Sequence, residues 1–317
     1  EEPGLPAETP PEAPSDEPDA SNESDAEPGK VSAPGAMFKC TSDLDMGPVA
    51  RLSQKGLALD DDTFKGCPGS IPAYFPNSDG AVQSLRLFKA WDPEWPPEGR
   101  LPAWEQLAGF VHASGAKVFL GTEITCSVSL DLQSWEWAKQ LLAKLGPSHV
   151  MGLGIGNELE LLYNLGDRRK VAPVTKECVD RLWRGGYVLK TFNSIVKEFD
   201  ALGFGSVPVT SVLGGYALAG KPFVDTAASK INTFVTALTQ KYGKRFIFAF
   251  NFYPYFDTNM HLDRGGAGTC RGALRAATSW SHRGFVPSIF RAAKERVEAL
   301  APGSKVWLPG APRGGAP

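Results

Sequence analysis

From Ser84 onward, short apolar runs alternate with longer stretches in which apolar residues recur every three or four positions. Leu85-Arg86-Leu87-Phe88-Lys89 reads as a strand, and Pro102 through Ala113 as a helix with one apolar face. Lys117 to Gly121 is the next strand, Leu132 to Leu145 the next helix, and Val150 to Glu158 a strand of glycines and aliphatic residues. A long helical stretch from Val174 to Leu202 is interrupted at Gly185-Gly186. Then come a strand at Val207–Leu213, a helix at Phe223–Lys241 and a strand at Arg245–Phe252. A helix at Pro287–Leu300 and a short strand at Lys305–Leu308 complete the series. Upstream, Gly56-Leu57-Ala58-Leu59-Asp60 reads as a first short strand, followed by the acidic Asp61-Asp62 and a loop. Pro72, Pro76 and Gly80 break every helical window there.

Strands that alternate with helices of this length form βαβ units and a parallel sheet. Their near-continuous apolar character fits burial on both faces. A doubly wound open sheet is the rival to a (β/α)8 TIM-type barrel. Its dinucleotide-binding form wants G-x-G-x-x-G, and Gly152-Leu153-Gly154-Ile155-Gly156-Asn157 lacks the last glycine. Polar or aromatic residues follow nearly every strand: Trp91 and Asp92, Thr122 and Glu123, Asn157 and Glu158, Asn251, Tyr253 and Tyr255. That favours the barrel, whose chemistry sits at the carboxyl ends of its strands. Counted from Gly56–Asp60, the chain supplies seven strands, so the expected fold is an α/β barrel lacking its eighth strand and helix. Residues 1–36 are Glu, Asp, Pro, Ser and Ala with almost no large apolar side chain. Such a segment cannot bury enough surface to offset its ordering entropy, so it is expected to be a disordered tail ahead of a barrel spanning 37–317.

Composition narrows the function. A net charge of −2 and the lack of a basic stripe leave no electrostatic footprint for nucleic acid. No run of 18 apolar residues offers a membrane span. The four histidines show no metal-ligand spacing, and no metal or cofactor is implied. Five widely spaced cysteines form no C-x-x-C; either Cys40 and Cys67 bridge or all five are ordinary thiols.

Candidate chemistry centres on Asn157-Glu158. A carboxylate directly after a buried strand is costly unless it is paired or used. The bland alternative is a loop carboxylate that caps the next helix. An Asn-Glu pair at the end of a barrel strand can instead place an acid beside a glycosidic oxygen while the amide holds a sugar hydroxyl. Retaining glycosidases need two such carboxyl groups about 5–5.5 Å apart. By the strand count, Glu158 ends the fourth strand and Asn251 lies in the sixth.

Gly154-Ile155-Gly156-Asn157-Glu158 and Asn251-Phe252-Tyr253-Pro254-Tyr255-Phe256 resemble two motifs of glycoside hydrolase family 17, the β-1,3-glucanases, and Leu85-Arg86-Leu87-Phe88 is similar to that family's second strand. The resemblance covers roughly residues 84–308. It implies a barrel that hydrolyses β-1,3-glucan or a related β-glucan with retention, and a secreted or cell-wall location. Glu158 would be the acid/base, with Asn157, Asn251 and Tyr253 orienting sugar and nucleophile. Trp91, Trp95, Tyr255 and Phe256 offer flat apolar surfaces for sugar rings or pack against the rim. Arg86 pairs with a carboxylate at the mouth or in a structural salt bridge. Glu123 is a further rim carboxylate, for substrate contact or a loop hydrogen bond. The resemblance also implies a nucleophilic Glu after the seventh strand, and here no carboxylate follows Leu308. The expectation is therefore a C-terminally incomplete chain without turnover. Transfer of the glycosyl group to another sugar, or carbohydrate binding without catalysis, are the alternatives.

Overall fold

The computed structural model describes residues 56–59, 61–66, 71–75, 79–163, 173–214, 217, 226–251, 295, 297–303 and 306–307. Residues 1–36, and the expectation of a tail there, lie outside these.

Seven strands form a single sheet: β1 (Leu57–Leu59), β2 (Ser84–Leu87), β3 (Lys117–Thr122), β4 (Val150–Asn157), β5 (Val209–Gly214), β6 (Phe248–Asn251) and β7 (Val306–Trp307). Every neighbouring pair is parallel, and the spatial order is the sequence order. A doubly wound sheet reverses its order at a switch point, so this winding in one direction is that of a barrel.

The helices between the strands are α1 (Asp61–Gly66), α2 (Pro97–Ser114), α3 (Val128–Leu145), α4 (Lys176–Val179), α5 (Tyr187–Phe199) and α6 (Thr226–Tyr242). Several start or end away from the expected positions. Asp61-Asp62 opens a short helix rather than a loop. The helix expected from Pro102 starts at Pro97, where a proline at the first helical position lacks an N–H that would have no intrahelical partner, and Pro102 lies inside it. The helix expected from Val174 to Leu202 breaks at the expected glycines, where Gly186 has φ of 68°, and a π-turn at Asp180–Arg184 precedes the break.

Strand alternation sorts side chains into two environments. Leu85, Leu87, Val118, Leu120, Leu153, Ile155, Val209, Leu213, Phe248 and Phe250 point outward into one large core with the helices. Phe119, Val212 and Ala249 form a second small cluster, with Met151 against it, inside the curl of the sheet. β4 makes room for it with glycine: a Cβ at Gly152 would stand 3.0 Å from Phe119 Cδ2, and one at Gly154 would stand 3.1 Å from Phe119 Cζ. Two of the three glycines in this strand thus serve packing inside the barrel.

The β3–α3 loop is pinned from several sides. Buried Asp131 accepts from Thr125 N–H and Oγ1, each at 2.7 Å, and from Tyr187 Oη at 3.0 Å. Cys126 is bonded to Cys178, with Cα atoms 5.5 Å apart, tying this loop to α4. This overturns the reading of all five cysteines as ordinary thiols; Cys40 and Cys67 lie outside the described residues. The two cysteines are 52 positions apart in sequence, so spacing alone could not reveal their contact.

Two variants test this anchorage. In the chain-entropy view a loop of this length is worth about 4 kcal/mol. Replacing Cys126 and Cys178 by serine is expected to lower the unfolding free energy by roughly 2–4 kcal/mol in urea titrations. Burial pushes the Asp131 carboxyl up to about 6 against its hydrogen bonds from Thr125 and Tyr187. A carboxyl whose proton is held more tightly in the folded state stabilises below its unfolded pKa, and that stabilisation is lost as pH rises through the folded value. Asp131→Asn is therefore expected to gain on the wild type by on the order of 2–3 kcal/mol between about pH 4 and pH 7.

Candidate active site

Four of the expected site residues meet at the carboxyl end of the sheet. Arg86 lies in β2, Asn157 ends β4, Glu158 follows it, and Asn251 ends β6. In a flat sheet β2 and β6 would be roughly 19 Å apart. Arg86 Nη1 instead donates directly to Asn251 Oδ1, and Nη2 donates to Asn157 Oδ1 at 3.1 Å. Only a curled sheet permits these bonds. The three residues come from alternate, even-numbered strands, as a barrel's interior layers do.

The donors and acceptors fix one another. A guanidinium only donates, so the Asn251 and Asn157 amides must turn their oxygens toward Arg86. That leaves Asn251 Nδ2 to donate to Asn157 Oδ1 at 3.0 Å and to Glu158 Oε1 at 2.9 Å. The Asn157 oxygen receives two bonds, so what it retains for a ligand is its NH2 group. The Arg86 guanidinium carbon also lies 4.2 Å from the Phe88 ring centroid and 5.8 Å from that of Phe119. It thereby joins the apolar cluster inside the curl to the polar layer above.

Local backbone geometry aims these groups. Simple alternation would send Asn157 outward with Leu153 and Ile155. Gly156 has φ of 79°, and the register against β5 shifts between Gly154 and Asn157. That left-handed residue reverses the parity and turns Asn157 inward; a side chain there would be strained. Glu158 follows with φ of 50°, the only described non-glycine residue in this region. Such a conformation costs on the order of 1 kcal/mol or more and persists where surrounding structure holds it. Here Glu158 N–H donates to Val212 O at 2.7 Å, and Leu161 N–H donates to Glu158 O at 2.9 Å.

A second carboxyl stands nearby, and the sequence reading missed it. Glu160 is buried, and its Oε1 accepts from the Gly214 N–H at the end of β5. Burial, with a smaller contribution from Glu158, raises its carboxyl to about 7 against the hydrogen bonds it accepts from backbone N–H groups.

The other expected residues are placed differently. Trp91 is only 1% exposed and meets Phe64 and Trp95 edge to face, so it presents no open ring to a sugar. Its sequence position on the rim suggested a platform, but the short helix α1 supplies Phe64 to cover it. Glu123 stands on the rim, 3.1 Å from Lys89 Nζ, and Lys89 also pairs with Asp92 at 2.7 Å. Burial alone would lower the Lys89 ammonium, but Glu123 and Asp92 beside it push it up to about 12. Trp95 lies between Lys65 and Lys89, whose Nζ atoms are 5.7 and 5.9 Å from its ring centroid. Tyr253, Tyr255, Phe256 and everything from Leu308 onward lie outside the described residues. Among the described residues no group of three His, Cys, Asp or Glu side chains could hold a metal ion, and no helix is long and apolar enough to cross a membrane.

No family model matches the chain, and no curated protein matches it by sequence. Solved structures similar to it include a plant β-glucan endohydrolase, at 15% identity and a TM-score of 0.40, covering 72% of this chain and 67% of that one. A β-glucosidase from Thermotoga maritima in complex with cyclophellitol is similar at 14% identity and a TM-score of 0.34, covering 61% of this chain and 47% of that one. An enzyme from Alicyclobacillus herbarius is similar at 12% identity and a TM-score of 0.31, covering 67% and 48%. The chain thus spans two thirds of the length of the first and less than half of the others. At these scores the likeness adds nothing to what the strand order and the even-strand bonds establish.

Arg86→Ala takes the guanidinium donor from the buried Asn251 Oδ1 and one of the two donors from Asn157 Oδ1, and is expected to lower the unfolding free energy by about 2–3 kcal/mol. Arg86→Lys should recover only part of this, because an ammonium lacks the planar fork that reaches both amides. A double-mutant cycle with Asn251→Ala, read by chemical denaturation, should show a coupling of at least about 1 kcal/mol.

Proposed function

We propose that this barrel is a β-glycosidase scaffold for β-1,3-glucan or a related β-glucan, with Glu158 as its acid/base. The observation that carries the reading is the Glu158 carboxyl itself. It stands after β4 on a strained turn, and Asn251 hydrogen-bonds one oxygen from across the barrel. A carboxyl held at one oxygen by a neutral amide keeps the other for a glycosidic oxygen. As an acid, Glu158 gives its proton to the departing sugar oxygen while the C1–O bond breaks. As a base, it takes a proton from the water that releases the sugar. In this reading the Asn157 NH2 holds a sugar hydroxyl.

Retention needs a second carboxylate to attack C1 from the opposite face. Glu160 is too enclosed to reach a sugar. The proposal is accordingly β-glucan binding at this site, with retaining hydrolysis where a nucleophilic carboxylate stands opposite Glu158. The Cys126–Cys178 disulfide suits an oxidising compartment outside the cytosol. Transfer to a second sugar uses the same site and differs only in whether water or a hydroxyl receives the glycosyl group.

A small anion can stand in for a nucleophilic carboxylate. Azide attacking C1 of an aryl β-glucoside forms a C–N bond as the C1–O bond breaks, and the aryloxide takes the Glu158 proton. The chain is expected to bind a β-1,3-linked glucose tetrasaccharide in calorimetry. It should also convert an aryl β-1,3-glucobioside into the α-glycosyl azide only when azide is present. Binding without azide-dependent product would favour a carbohydrate-binding protein. No binding at all would remove the β-glucan reading.

A further inference from the structure

Glu160 has no part in the chemistry above, yet the fold places it against the one carboxyl that does. Gly214 separates the two. Glu160 Oε1 lies 2.5 Å, and Glu158 Cγ and Cδ each lie 3.4 Å, from the point where a Cβ at Gly214 would stand. A Cβ at this position would overlap Glu160 Oε1 and rest in contact with Glu158, so the lack of a side chain at the end of β5 is what leaves room for Glu160 beside Glu158. β5 is also bonded twice to the turn after β4. Val212 O accepts from Glu158 N–H, and Gly214 N–H donates to Glu160 Oε1. These two bonds lie on either side of the left-handed residue and clamp it to the neighbouring strand.

We propose that Glu160 is a positioning residue for Glu158: it fastens the end of β5 beneath the strained turn, and its own charge state is felt by the Glu158 carboxyl across Gly214. As catalysis this rests on the acid/base reading of Glu158; as geometry it does not. Among the described residues, Glu158 is the one charged side chain that acts on the Glu160 carboxyl. From its own turn comes Tyr163, with Lys230 of α6 standing over that ring at 5.2 Å. From β2 comes Arg86, whose partner Asn251 donates to Glu158. β5 contributes Val212, Leu213 and Gly214 at this end, none of them charged. Ionised, Glu160 repels negative charge on Glu158; neutral, it does not. Burial raises the Glu160 carboxyl to about 7, so near neutrality Glu160 can switch between the two states.

The test is carboxyl 13C NMR on the full chain labelled at glutamate Cδ, titrated from acid to mildly alkaline pH, with signals assigned from Glu158→Gln and Glu160→Gln. The Glu158 signal is expected to shift a second time as Glu160 ionises near neutrality. In Glu160→Gln, which keeps an acceptor for the Gly214 N–H, that second shift should vanish while near-UV circular dichroism stays as in the wild type. A residue that only props up the turn would leave the Glu158 titration unchanged in Glu160→Gln, and that result overturns the proposal. Should Glu160→Gln not fold, the wild-type titration still decides: a Glu158 signal with no step at the Glu160 midpoint contradicts the coupling. Because no readout depends on turnover, a coupled titration in a chain that fails to bind β-glucan would reject the glycosidase reading and leave the pairing standing.

Discussion

A guanidinium has five hydrogens to give and nothing to accept with, and the rim of this barrel is arranged around that asymmetry. Arg86 projects from β2 and binds the side-chain oxygens of Asn157 on β4 and Asn251 on β6. Each bond crosses a gap that only a curled sheet can close. Each also fixes which way an amide faces, and so which hydrogens remain to reach Glu158. The curl of the sheet brings the three residues within reach, and amide orientation and the setting of the Glu158 carboxyl then follow from this one side chain. The cost of burying its charge is offset by its bonds to the amide dipoles and by the faces of Phe88 and Phe119 beside it.

The glycines of β4 divide their work by position. Gly152 and Gly154 leave the volume that the Phe119 ring fills, so the barrel interior is packed rather than open beneath the polar layer. Gly156 reverses the side-chain alternation and delivers Asn157 to the interior. A motif that resembles a nucleotide-binding fingerprint when read as letters is, in three dimensions, a packing device followed by a hinge. The strain at Glu158 is the continuation of that hinge, held by the carbonyl of Val212.

Much of the fold was legible because burial on both faces leaves unmistakable apolar runs: β2 to β6 fall where the pattern puts them, in the expected order. Glu158, Asn157, Asn251 and Arg86 were legible as polar residues in or at the ends of such runs. The remainder depended on contacts that sequence does not encode locally. Trp91 looked like a rim aromatic until Phe64 of α1 enclosed it. Cys126 and Cys178 meet only because the β3–α3 loop and α4 are neighbours in space. Lys89 gave no signal as the partner of Glu123, since the two stand on adjacent strand ends far apart in the chain. Glu160 lies in the turn that follows β4. Its alternation with Glu158 was visible, but the glycine at position 214 that brings the two carboxyls together belongs to another strand.

The central claim is that Glu158, oriented through Asn251 and Arg86, faces a sugar at the carboxyl end of the strands. A crystal structure of the full chain with a β-1,3-linked glucose tetrasaccharide tests it most directly. The account predicts a glycosidic oxygen within hydrogen-bonding distance of the free Glu158 oxygen and a sugar hydroxyl on the Asn157 NH2. A tetrasaccharide ordered elsewhere on the protein, with Glu158 and Asn157 out of its reach, would contradict it.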